Sequence, residues 1–418
     1  MSECDTIKNT KIPNTVDSMV EDLIKLGVKK GDILLVHSSL SSLGWVCGGP
    51  QAVIMALQLA VGEEGTIVMP SQSGDWSDPS EWNNPPIDAN WVELVYEDLP
   101  AYDPLITPTR GMGRIAELFR TIPGSIRSNH PQVSFSANGR DALEIVKNHP
   151  LTPQFGFDSP LGALYQRKAK VLLLGVGYDN CTCFHLSEAL TEKLYKKRMG
   201  TAMKVDNKRE WLWFWDYDYN NEDFEDMGYD FEQNTNVVIN GQVGIAPCKL
   251  FSLPLAVDYG EKWLLDHRLS KPLIIDFLRT SEINQSHQPT SAFVFLKCKD
   301  QFLIGFNKFR QTWEFPAGKI ELGESILDCA IRELFEETNQ KVEQLELRGL
   351  IKLFDYGTGK MKYRAIFYGE VEELEPFKEN DEIEKIMLWD FNEEPIHFDP
   401  MDLKIYQMWT ECERNDTN

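Results

Sequence analysis

The chain contains no run of about eighteen consecutive apolar residues, the length that a membrane-spanning helix needs. The N-terminal segment MSECDTIKNTKIPN also lacks the apolar core of a secretory signal. Basic residues are scarce, since 42 Lys and Arg accompany 65 Asp and Glu, and the formal net charge is −23. We therefore expect a soluble, cytoplasmic protein with no membrane or nucleic-acid partner, and the charge favours cationic partners.

Paired cysteine ligands of the kind that hold zinc are absent, although the chain has eight cysteines. Scattered cysteines in a cytoplasmic protein are expected to be reduced thiols. A hydrophobic content of 42% and an aromatic content of 11% are those of a globular protein with substantial cores. At 418 residues the chain is too long for one ordinary domain, so we expect two or three.

The first 265 residues alternate between helical and strand patterns, which indicates a large α/β domain. Gly48, Gly49 and Pro50 mark the start of one helix, and the loop that follows the second strand is long enough to suggest a functional role. The predicted elements are a helix at 17–26, a strand at 33–40, a helix from 48 to about 60, a strand at 65–70, a loop at 71–109, a helix at 113–120 and a strand at 170–177.

A histidine and a glutamate follow the last of these strands. Thr182 is the predicted N-cap of the next helix, which places His185 in the first turn, where the helix dipole disfavours an imidazolium. A neutral histidine can act as a base, and Glu188, one turn later, can orient the imidazole by a hydrogen bond. The alternative is a surface ion pair, because a His three residues before a Glu is a weak pattern by itself.

Three separated segments give this pair a context. They are HSSLSSLGWVCGGPQAVIMAL from His37, DPLITPTRGMGRIAELFRTIPGSIRSNHP from Asp103, and LLLGVGYDNCTCFHLSEAL from Leu172. Through them the chain resembles the aminoglycoside 3-N-acetyltransferase family over roughly residues 15–268. The resemblance implies an acetyltransferase domain at 1–268 that moves an acetyl group from acetyl-CoA directly to the 3-amino group of an aminoglycoside, as in antibiotic resistance.

The resemblance also assigns site residues to the first and third segments. His185 matches the family's histidine, with Glu188 as its partner, and both are expected to be catalytic. In such a reaction a base takes a proton from the attacking amine, while backbone or hydroxyl donors hold the thioester oxygen. The resemblance also implies which segment lines the CoA side. Free helix N–H groups in this segment suit phosphate or pantetheine. Its residues are His37, Ser38, Ser39, Ser41, Gly48 and Gly49.

The second segment and the two cysteines beside the histidine leave alternatives open. Cys181 and Cys183 raise the possibility of an acyl-cysteine intermediate, but the resemblance gives the weight to the His and the Glu. The residues of the second segment could instead be loop and cap residues that shape the fold. Those assigned to the site are Thr107, Arg110 and Met112 on the cofactor side and Asp103 on the substrate side.

The stretch from Glu210 to Gln233, EWLWFWDYDYNNEDFEDMGYDFEQ, contains no Lys or Arg. Acidic residues interleaved with Trp and Tyr suit a polyamine substrate, through charge attraction and cation–π contact. We therefore assign Asp216 and Asp218 to the substrate side, with Glu222 and Asp223 as further candidates. The alternatives are an exposed insertion specific to this chain or a contact in a homodimer.

The least ambiguous pattern lies in the run GKIELGESILDCAIRELFEETNQ, at residues 318–340. Ser325 carries a helix-start signature, and Glu333, Glu336 and Glu337 fall at i, i+3 and i+4 of the helix that follows. Because carboxylates this close repel one another, a structural role alone explains them poorly unless a cation lies between them. Mg²⁺ takes oxygen ligands and commonly bridges to phosphates.

The run resembles the Nudix hydrolase box, with Gly318, Glu324 and Arg332 in register with the three glutamates. The resemblance implies a smaller α/β/α sandwich with a mixed sheet at 288–418, reached through a linker at 269–287. It further implies that the three glutamates hold Mg²⁺ or Mn²⁺. The last two of them, Glu336 and Glu337, are expected to assist the water that attacks a nucleoside diphosphate-X substrate.

Asn339 and Gln340 depart from the box, which expects a Gly and an aliphatic residue. Asn is the next best residue after Gly at a left-handed helix C-cap, so Asn339 is expected to keep the backbone geometry. Glu382 and Glu384, before the last predicted strand, are candidates for the extra carboxylate that many family members bring from a loop. A solvated turn is the alternative for at least one of them.

The sequence thus predicts a bifunctional enzyme, an aminoglycoside N-acetyltransferase fused to a metal-dependent pyrophosphohydrolase. The alternative is an acetyltransferase for another cellular amine, in which Gln340 marks a Nudix domain that serves as a nucleotide-binding regulatory module.

Overall fold

The computed structural model describes residues 6–8, 10–342, 344–391 and 397–416. The chain forms two compact units, Met1–Leu269 and Ser270–Asn418. Within the described ranges, no helix is both long and apolar enough to cross a membrane.

The first unit is a mixed α/β structure. Its strands are β1 (Ile33–Ser38), β2 (Thr66–Pro70), β3 (Ile126–Arg127), β4 (Phe135–Gly139), β5 (Lys170–Leu174), β6 (Lys196–Val205), β7 (Lys208–Tyr217), β8 (Ile239–Val243) and β9 (Ala246–Ser252). Its helices are α1 (Val16–Leu26), α2 (Gly49–Val61), α3 (Val92–Asp98), α4 (Gly113–Phe119), α5 (Ala142–Val146), α6 (Pro160–Gln166), α7 (Phe184–Leu190), α8 (Phe224–Thr235) and α9 (Leu253–Asp266).

Seven of these strands form one sheet in the order β3-β4-β2-β1-β5-β9-β8, and β6 pairs with β7 in a separate hairpin. The central strand β1 runs parallel to both β2 and β5, whereas the outer strands pair antiparallel. Because the carboxyl ends of parallel strands lie at one edge of a sheet, the loops after β1, β2 and β5 meet there. The topology therefore places the histidine of β1 and the helix after β5 at a common edge.

Local sequence explains the first elements. Thr15 and Ser18 form a capping box at the start of α1, and Gly27 ends the helix in the left-handed region, with φ of 109°. The buried face of α1, with Met19 and Leu23, packs into the core under the sheet. The predicted helices and strands up to residue 70 are confirmed within one or two residues at each end.

Two sequence predictions in this unit need correction. The loop predicted at 71–109 contains short 3-10 turns and the helix α3. Thr182 is not the N-cap of α7; Cys183 is, and it makes no side-chain capping bond. The Thr182 carbonyl instead accepts the backbone N–H of His185 at 3.1 Å, so the histidine still lies in the first helical turn.

The second unit is a mixed sheet with two helices. Its strands are β10 (Leu273–Arg279), β11 (Pro289–Cys298), β12 (Gln301–Asn307), β13 (Thr312–Glu314), β14 (Ala317–Lys319), β15 (Glu346–Asp355), β16 (Lys360–Val371) and β17 (Ile383–Trp389). Its helices are α10 (Ile326–Thr338) and α11 (Pro400–Asp416). The main path through the sheet is β10-β15-β16-β11-β12-β13, with β11 parallel to β16. One hydrophobic cluster lies under α10 and another under α11, which gives the expected α/β/α sandwich.

The segment at 269–287 is not simply a linker. Residues Leu273–Arg279 form β10, which pairs antiparallel with β15 as the edge strand of the second sheet. The residues of this strand, LIIDFLR, are mostly half-buried, and Phe277 lies in the core.

Candidate active sites

A cavity of about 1090 Å³ lies at the sheet edge where β1, β2 and β5 end. This volume suits a large cosubstrate together with a second substrate. Its walls come from the segment after β1, the N-terminal ends of α2 and α4, and the segment between β5 and α8. The residues assigned from sequence that line it are His37, Ser38, Ser39, Ser41, Gly48, Gly49, Met112 and His185.

His185 and Glu188 form a direct pair in α7. Nδ1 of the imidazole lies 2.5 Å from Oε2 of Glu188, which is completely buried, while the histidine is 15% exposed toward the cavity. The spacing of three residues puts both side chains on one face of the helix. The carboxylate therefore fixes the orientation of the ring, and Nε2 is the nitrogen left for chemistry.

Arg268, which sequence reasoning missed, anchors the other side of the glutamate. Its Nη1 donates to Oε1 of Glu188, and its Nε donates to Asp223 at 2.5 Å. The backbone N–H of Asn220 also donates to Oε1 of Glu188, at 3.3 Å. A buried carboxylate needs such partners, because an isolated buried charge is strongly unfavourable. Arg268 and Asn220 bind Oε1 of Glu188, which leaves Oε2 for the imidazole.

Three aromatic rings pack around the imidazole. Phe155 stacks on His185 with ring centroids 4.6 Å apart and an interplanar angle of 13°. Phe224 lies at 4.8 Å, and Tyr219 approaches edge-on at 5.8 Å. This packing leaves the ring little rotational freedom, so its reactive edge points to a defined place in the cavity.

His37, at the end of β1, is a second histidine on the cavity wall. Burial, together with the neighbouring His185, lowers the pKa of His37 to about 3, so the ring is neutral near pH 7. Its Nε2 is a buried nitrogen without a hydrogen-bond partner among the described residues. A buried polar atom of this kind is normally satisfied by a ligand or water.

Glycines and hydroxyl groups line another part of the cavity. Gly48 and Gly49 have φ of 89° and 56°, and Gly49 begins α2 with no side chain over the first helical N–H groups. Ser39 and Ser41 place their hydroxyl groups 3.2 Å apart beside this helix start. Arg114, another residue missed from sequence, lines the same cavity at the start of α4. These groups fit a phosphate-bearing ligand.

Three residues of the second segment have structural partners and do not line the cavity. Asp103 accepts the backbone N–H of Leu105 and pairs with Lys204 at 3.0 Å, and Thr107 is buried against it. Arg110 pairs with Asp75 at 2.8 Å. Their geometry favours the alternative that they shape the loop.

Asp216 is incompatible with the substrate role assigned to it. Its side chain is completely buried and accepts bonds from Thr152 and from the backbone of Gln154, at 3.0 and 2.8 Å. Asp218 pairs with Lys197 at 2.9 Å. Alternation along β7 turns Asp216 into the core, which the composition of the stretch could not show.

The two cysteines beside the histidine are also buried. Their sulfurs lie 3.4 Å apart, and neither lines the cavity. Burial, followed by the contact with Cys181, raises the pKa of Cys183 well above its ordinary value. A thiol kept protonated is a poor nucleophile, so the geometry does not favour an acyl-cysteine intermediate.

The second site lies on α10. Ser325 caps the helix by accepting the backbone N–H of Asp328 at 3.1 Å, as the sequence predicted. Arg332 then binds Glu324 through two bonds of 2.8 and 3.0 Å, and its Nη1 reaches Glu333 at 2.7 Å and Glu336 at 3.1 Å. Arg332 therefore links the loop before the helix to its carboxylate face.

Gly318 is required by close packing. A Cβ built on it would lie 1.9 Å from the carboxyl group of Glu333, which leaves no room for a side chain. The glycine thus allows the carboxylate to rest against β14. Burial raises the pKa of Glu333 although Arg332 hydrogen-bonds to it.

Glu337 is the most buried of the three glutamates, at 8% exposure. Burial raises its pKa well above the ordinary value, and the nearby charges of Glu382 and Glu314 raise it further. Asn307 donates to both Glu314 and Glu382 and holds those two carboxylates together. Glu384, in contrast, is exposed on β17 beside Lys385.

The carboxylate set fits a hard divalent cation. Buried carboxylates that repel one another are stabilised by a cation between them, and their oxygens are the ligands that Mg²⁺ prefers. Among the described side chains, however, no three His, Cys, Asp or Glu residues are already arranged around one metal position. The bonds from Arg332 to Glu333 and Glu336 give the physical reason.

Comparisons with known proteins match both units. The family model for aminoglycoside 3-N-acetyltransferase matches residues 35–265, and the NUDIX domain model matches residues 287–408. Together with the oriented histidine at the cavity, these matches define an acyltransferase. The chain belongs to the aminoglycoside 3-N-acetyltransferase family and carries a C-terminal Nudix domain.

Individual relatives cover the first unit. The chain is 48% identical over 262 residues to the SPbeta prophage-derived aminoglycoside N(3')-acetyltransferase-like protein YokD of Bacillus subtilis (strain 168). The aligned region covers 62% of this chain and 96% of that protein. It is 33% identical over 280 residues to aminoglycoside N(3)-acetyltransferase VII of Streptomyces paromomycinus, covering 63% and 96%.

Solved structures give the same result. The crystal structure of YokD matches with a TM-score of 0.63 and 47% identity, over 65% of this chain and all of that one. AAC-VIa bound to sisomicin matches with a TM-score of 0.55 and 30% identity, over 60% and 98%. AAC-IIIb in a binary complex with CoASH matches with a TM-score of 0.55 and 28% identity, over 61% and 97%.

Proposed function

We propose that the first unit transfers the acetyl group of acetyl-CoA to the 3-amino group of an aminoglycoside, and so confers resistance to the antibiotic. The supporting observation is the pair of His185 and Glu188, anchored by Arg268, at a cavity of about 1090 Å³. Relatives that are described as aminoglycoside N(3)-acetyltransferases, and neighbours bound to CoASH or sisomicin, support both substrates.

In the proposed reaction, the amine nitrogen of the aminoglycoside attacks the thioester carbonyl of acetyl-CoA. As it does so, Nε2 of His185 takes a proton from the amine. The N–C bond forms, the C–S bond breaks, and the proton passes from the imidazole to the CoA thiolate. Glu188 accepts the Nδ1–H bond throughout and stabilises the transient imidazolium. The N-terminal end of α2 and Arg114 bind the phosphates of CoA.

Asp179 replaces Asp216 and Asp218 as the substrate-side acid. It is exposed and lines the cavity on the same wall as His185, and Asn221 donates to its backbone carbonyl at 2.9 Å. A carboxylate at this place attracts the ammonium groups of an aminoglycoside. Its position follows from the short 3-10 turn at Tyr178–Asn180 after β5.

The test is thiol release from acetyl-CoA with a panel of aminoglycosides, using wild type, His185→Gln and the control His287→Gln in the second unit. Loss of the base is expected to lower kcat by about 10²- to 10⁴-fold, while the control stays at the wild-type rate. No acetylation of any aminoglycoside, together with acetylation of another cellular amine, would replace the resistance function with the alternative substrate.

We also propose that the second unit hydrolyses a nucleoside diphosphate-X substrate with Mg²⁺ or Mn²⁺. Glu333, Glu336 and Glu337 would hold the cation, which supplies Lewis-acid activation of phosphate and water. Binding requires Arg332 to release Glu333 and Glu336, while its two bonds to Glu324 keep the helix and loop joined. Glu337, which is buried next to Glu382, is the group best placed to accept a proton.

Hydrolysis of a nucleotide panel with Mg²⁺, followed as release of the nucleoside monophosphate, tests this second proposal. Glu337→Gln is expected to abolish release, whereas Glu411→Gln, an exposed change on α11, leaves it intact. Release that survives Glu337→Gln would refute the mechanism. Nucleotide binding without release from the wild type would assign the unit a sensing role instead.

A further inference from the structure

The loop between β16 and β17, residues 372–382, lies against the C-terminal end of the Nudix helix. We name it the acidic loop, because six of its eleven residues are Asp or Glu. Its last residue, Glu382, is the carboxylate whose charge most strongly acts on Glu337. The acidic loop therefore carries a carboxylate close enough to Glu337 to act on it electrostatically.

The side chain of Gln340 binds the backbone of the acidic loop. Its side chain is 2% exposed, with Oε1 accepting the N–H of Glu375 at 2.7 Å. Its Nε2 donates to the carbonyl of Glu375 at 2.9 Å and to the carbonyl of Thr338 at 2.9 Å. The amide thus pairs with both backbone groups of one loop residue, as a neighbouring strand would. An aliphatic side chain would leave these buried groups unpaired.

Asn339 adds a second contact to the same segment. It ends α10 in the left-handed region, with φ of 60°, and its N–H donates to the carbonyl of Phe335 at 2.8 Å. Its Nδ2 donates to the carbonyl of Pro376 at 3.1 Å. A glycine would keep the turn but could not make this bond.

Asn380 completes the contact from the loop side. Its Nδ2 donates to the carbonyls of Glu336 and Glu337 at 2.9 and 3.1 Å. Its Oδ1 accepts the N–H groups of Glu382 and Ile383 at 3.0 and 2.7 Å. The last carbonyls of a helix have no partner within the helix, and here those of Phe335, Glu336, Glu337 and Thr338 are all bound by Asn339, Gln340 or Asn380.

We propose that Asn339 and Gln340, the two departures from the Nudix box, are positioning residues that fix the acidic loop on the helix end and hold Glu382 beside Glu337 as a further oxygen ligand for the cation. The proposal rests on the proposed hydrolase function of the second unit. It explains why a polar residue stands where the family has an aliphatic one. The bonds that the departures make all end on the loop or on the helix carbonyls that face it.

The test compares Gln340→Met in the full-length chain with Gln344→Met, a matched change at an exposed glutamine. Hydrogen exchange is expected to become faster at residues 372–382 in Gln340→Met only. Mg²⁺ affinity, measured by calorimetry without nucleotide, is expected to weaken about tenfold, as for loss of a group that orients a metal ligand. Unchanged exchange and unchanged affinity would overturn the proposal.

A double-variant cycle separates positioning from general destabilisation. If Gln340 acts through Glu382, the double variant Gln340→Met, Glu382→Gln should bind Mg²⁺ almost as tightly as the single variant Glu382→Gln. Full additivity would show that Gln340 acts independently of Glu382 and would overturn its positioning role.

A milder variant keeps the experiment decisive if Gln340→Met does not fold. Asn339→Gly keeps the left-handed turn and removes only the bond to Pro376, so a smaller rise in exchange and a smaller loss of affinity are expected. If the wild type shows the Gln340-dependent Mg²⁺ affinity yet releases no nucleoside monophosphate from any nucleotide, the hydrolase function fails while the positioning role stands. Absence of Mg²⁺ binding by the wild type would overturn the ligand role of Glu382.

Discussion

Replacing Arg268 with Gln should damage both the stability of the first unit and its acetyl transfer. The arginine side chain is 10% exposed and binds the completely buried carboxylate of Glu188 as well as Asp223. Gln cannot supply the positive charge, so Glu188 would be left as an uncompensated charge in the core. The imidazole of His185 would at the same time lose the carboxylate orientation on which the proposed reaction depends.

The magnitude follows from the burial of the pair. Removing one partner of a buried ion pair costs about 3–5 kcal/mol. In a unit of this size, about 1 kcal/mol shifts the midpoint of thermal unfolding by about 2–4 °C, so a fall of about 6–20 °C is expected. Acetyl transfer should fall toward the loss expected for removal of the base itself, about 10²- to 10⁴-fold in kcat.

Scanning calorimetry of the full-length chain measures the first effect, and the transition of the second unit provides an internal reference. Acetyl transfer is measured at a temperature where both units remain folded. Arg140→Gln is the control, because Arg140 pairs with Glu64 on the surface, where an ion pair contributes about 0–1 kcal/mol. Adding Glu188→Gln to Arg268→Gln should restore part of the lost stability but no activity. The reasoning would be refuted if the Arg268→Gln variant had the same midpoint of thermal unfolding as the Arg140→Gln control and kept the wild-type kcat.

Three further predictions concern separate residues. Asp179→Asn should raise KM for a polycationic amine in a salt-dependent way, whereas Asp218→Asn should not; equal KM values would remove Asp179 from the substrate side. Gly318→Ala should displace Glu333 and lower nucleotide hydrolysis at least tenfold, at a cost of about 1–3 kcal/mol to the second unit, with acetyl transfer as the unaffected control. Burial raises the pKa of Asp402 to about 7, so its stabilising effect is complete below about pH 4 and is lost as the pH rises through 7. Asp402→Asn should remove the part of this loss that falls between pH 5 and pH 8, about 3 kcal/mol, as measured by urea unfolding at those two pH values.

Periodicity was enough to locate most of the elements around the two sites. The apolar run of β1, the helix after Gly48 and the helix from Ser325 all begin where local signals place them. These signals work because capping, turns and apolar spacing act within a few residues along the chain. The same local rules failed at 269–287, where pairing with β15, more than seventy residues away, makes a strand of a predicted linker.

The acidic stretch from Glu210 shows a different limit. Its composition indicated a cationic ligand, but the alternation of β7 decides which of its acids face water and which face the core. Asp216 became a structural residue, and the carboxylate on the cavity wall came instead from Asp179, which no charge pattern singled out. Composition reports the residues present and carries no information about the face on which each one lies.

The residues proposed for both sites could be read from local spacing: a histidine and a glutamate at helical spacing, and a Gly, an Arg and glutamates in the register of the Nudix box. Those relations lie within short stretches of the chain. The groups that support them come together only through tertiary packing. Arg268 reaches Glu188 across eighty residues, and Gln340 binds the backbone of Glu375 across thirty-five. Contacts between distant parts of a chain depend on how the sheet and its loops pack, so local spacing cannot specify them.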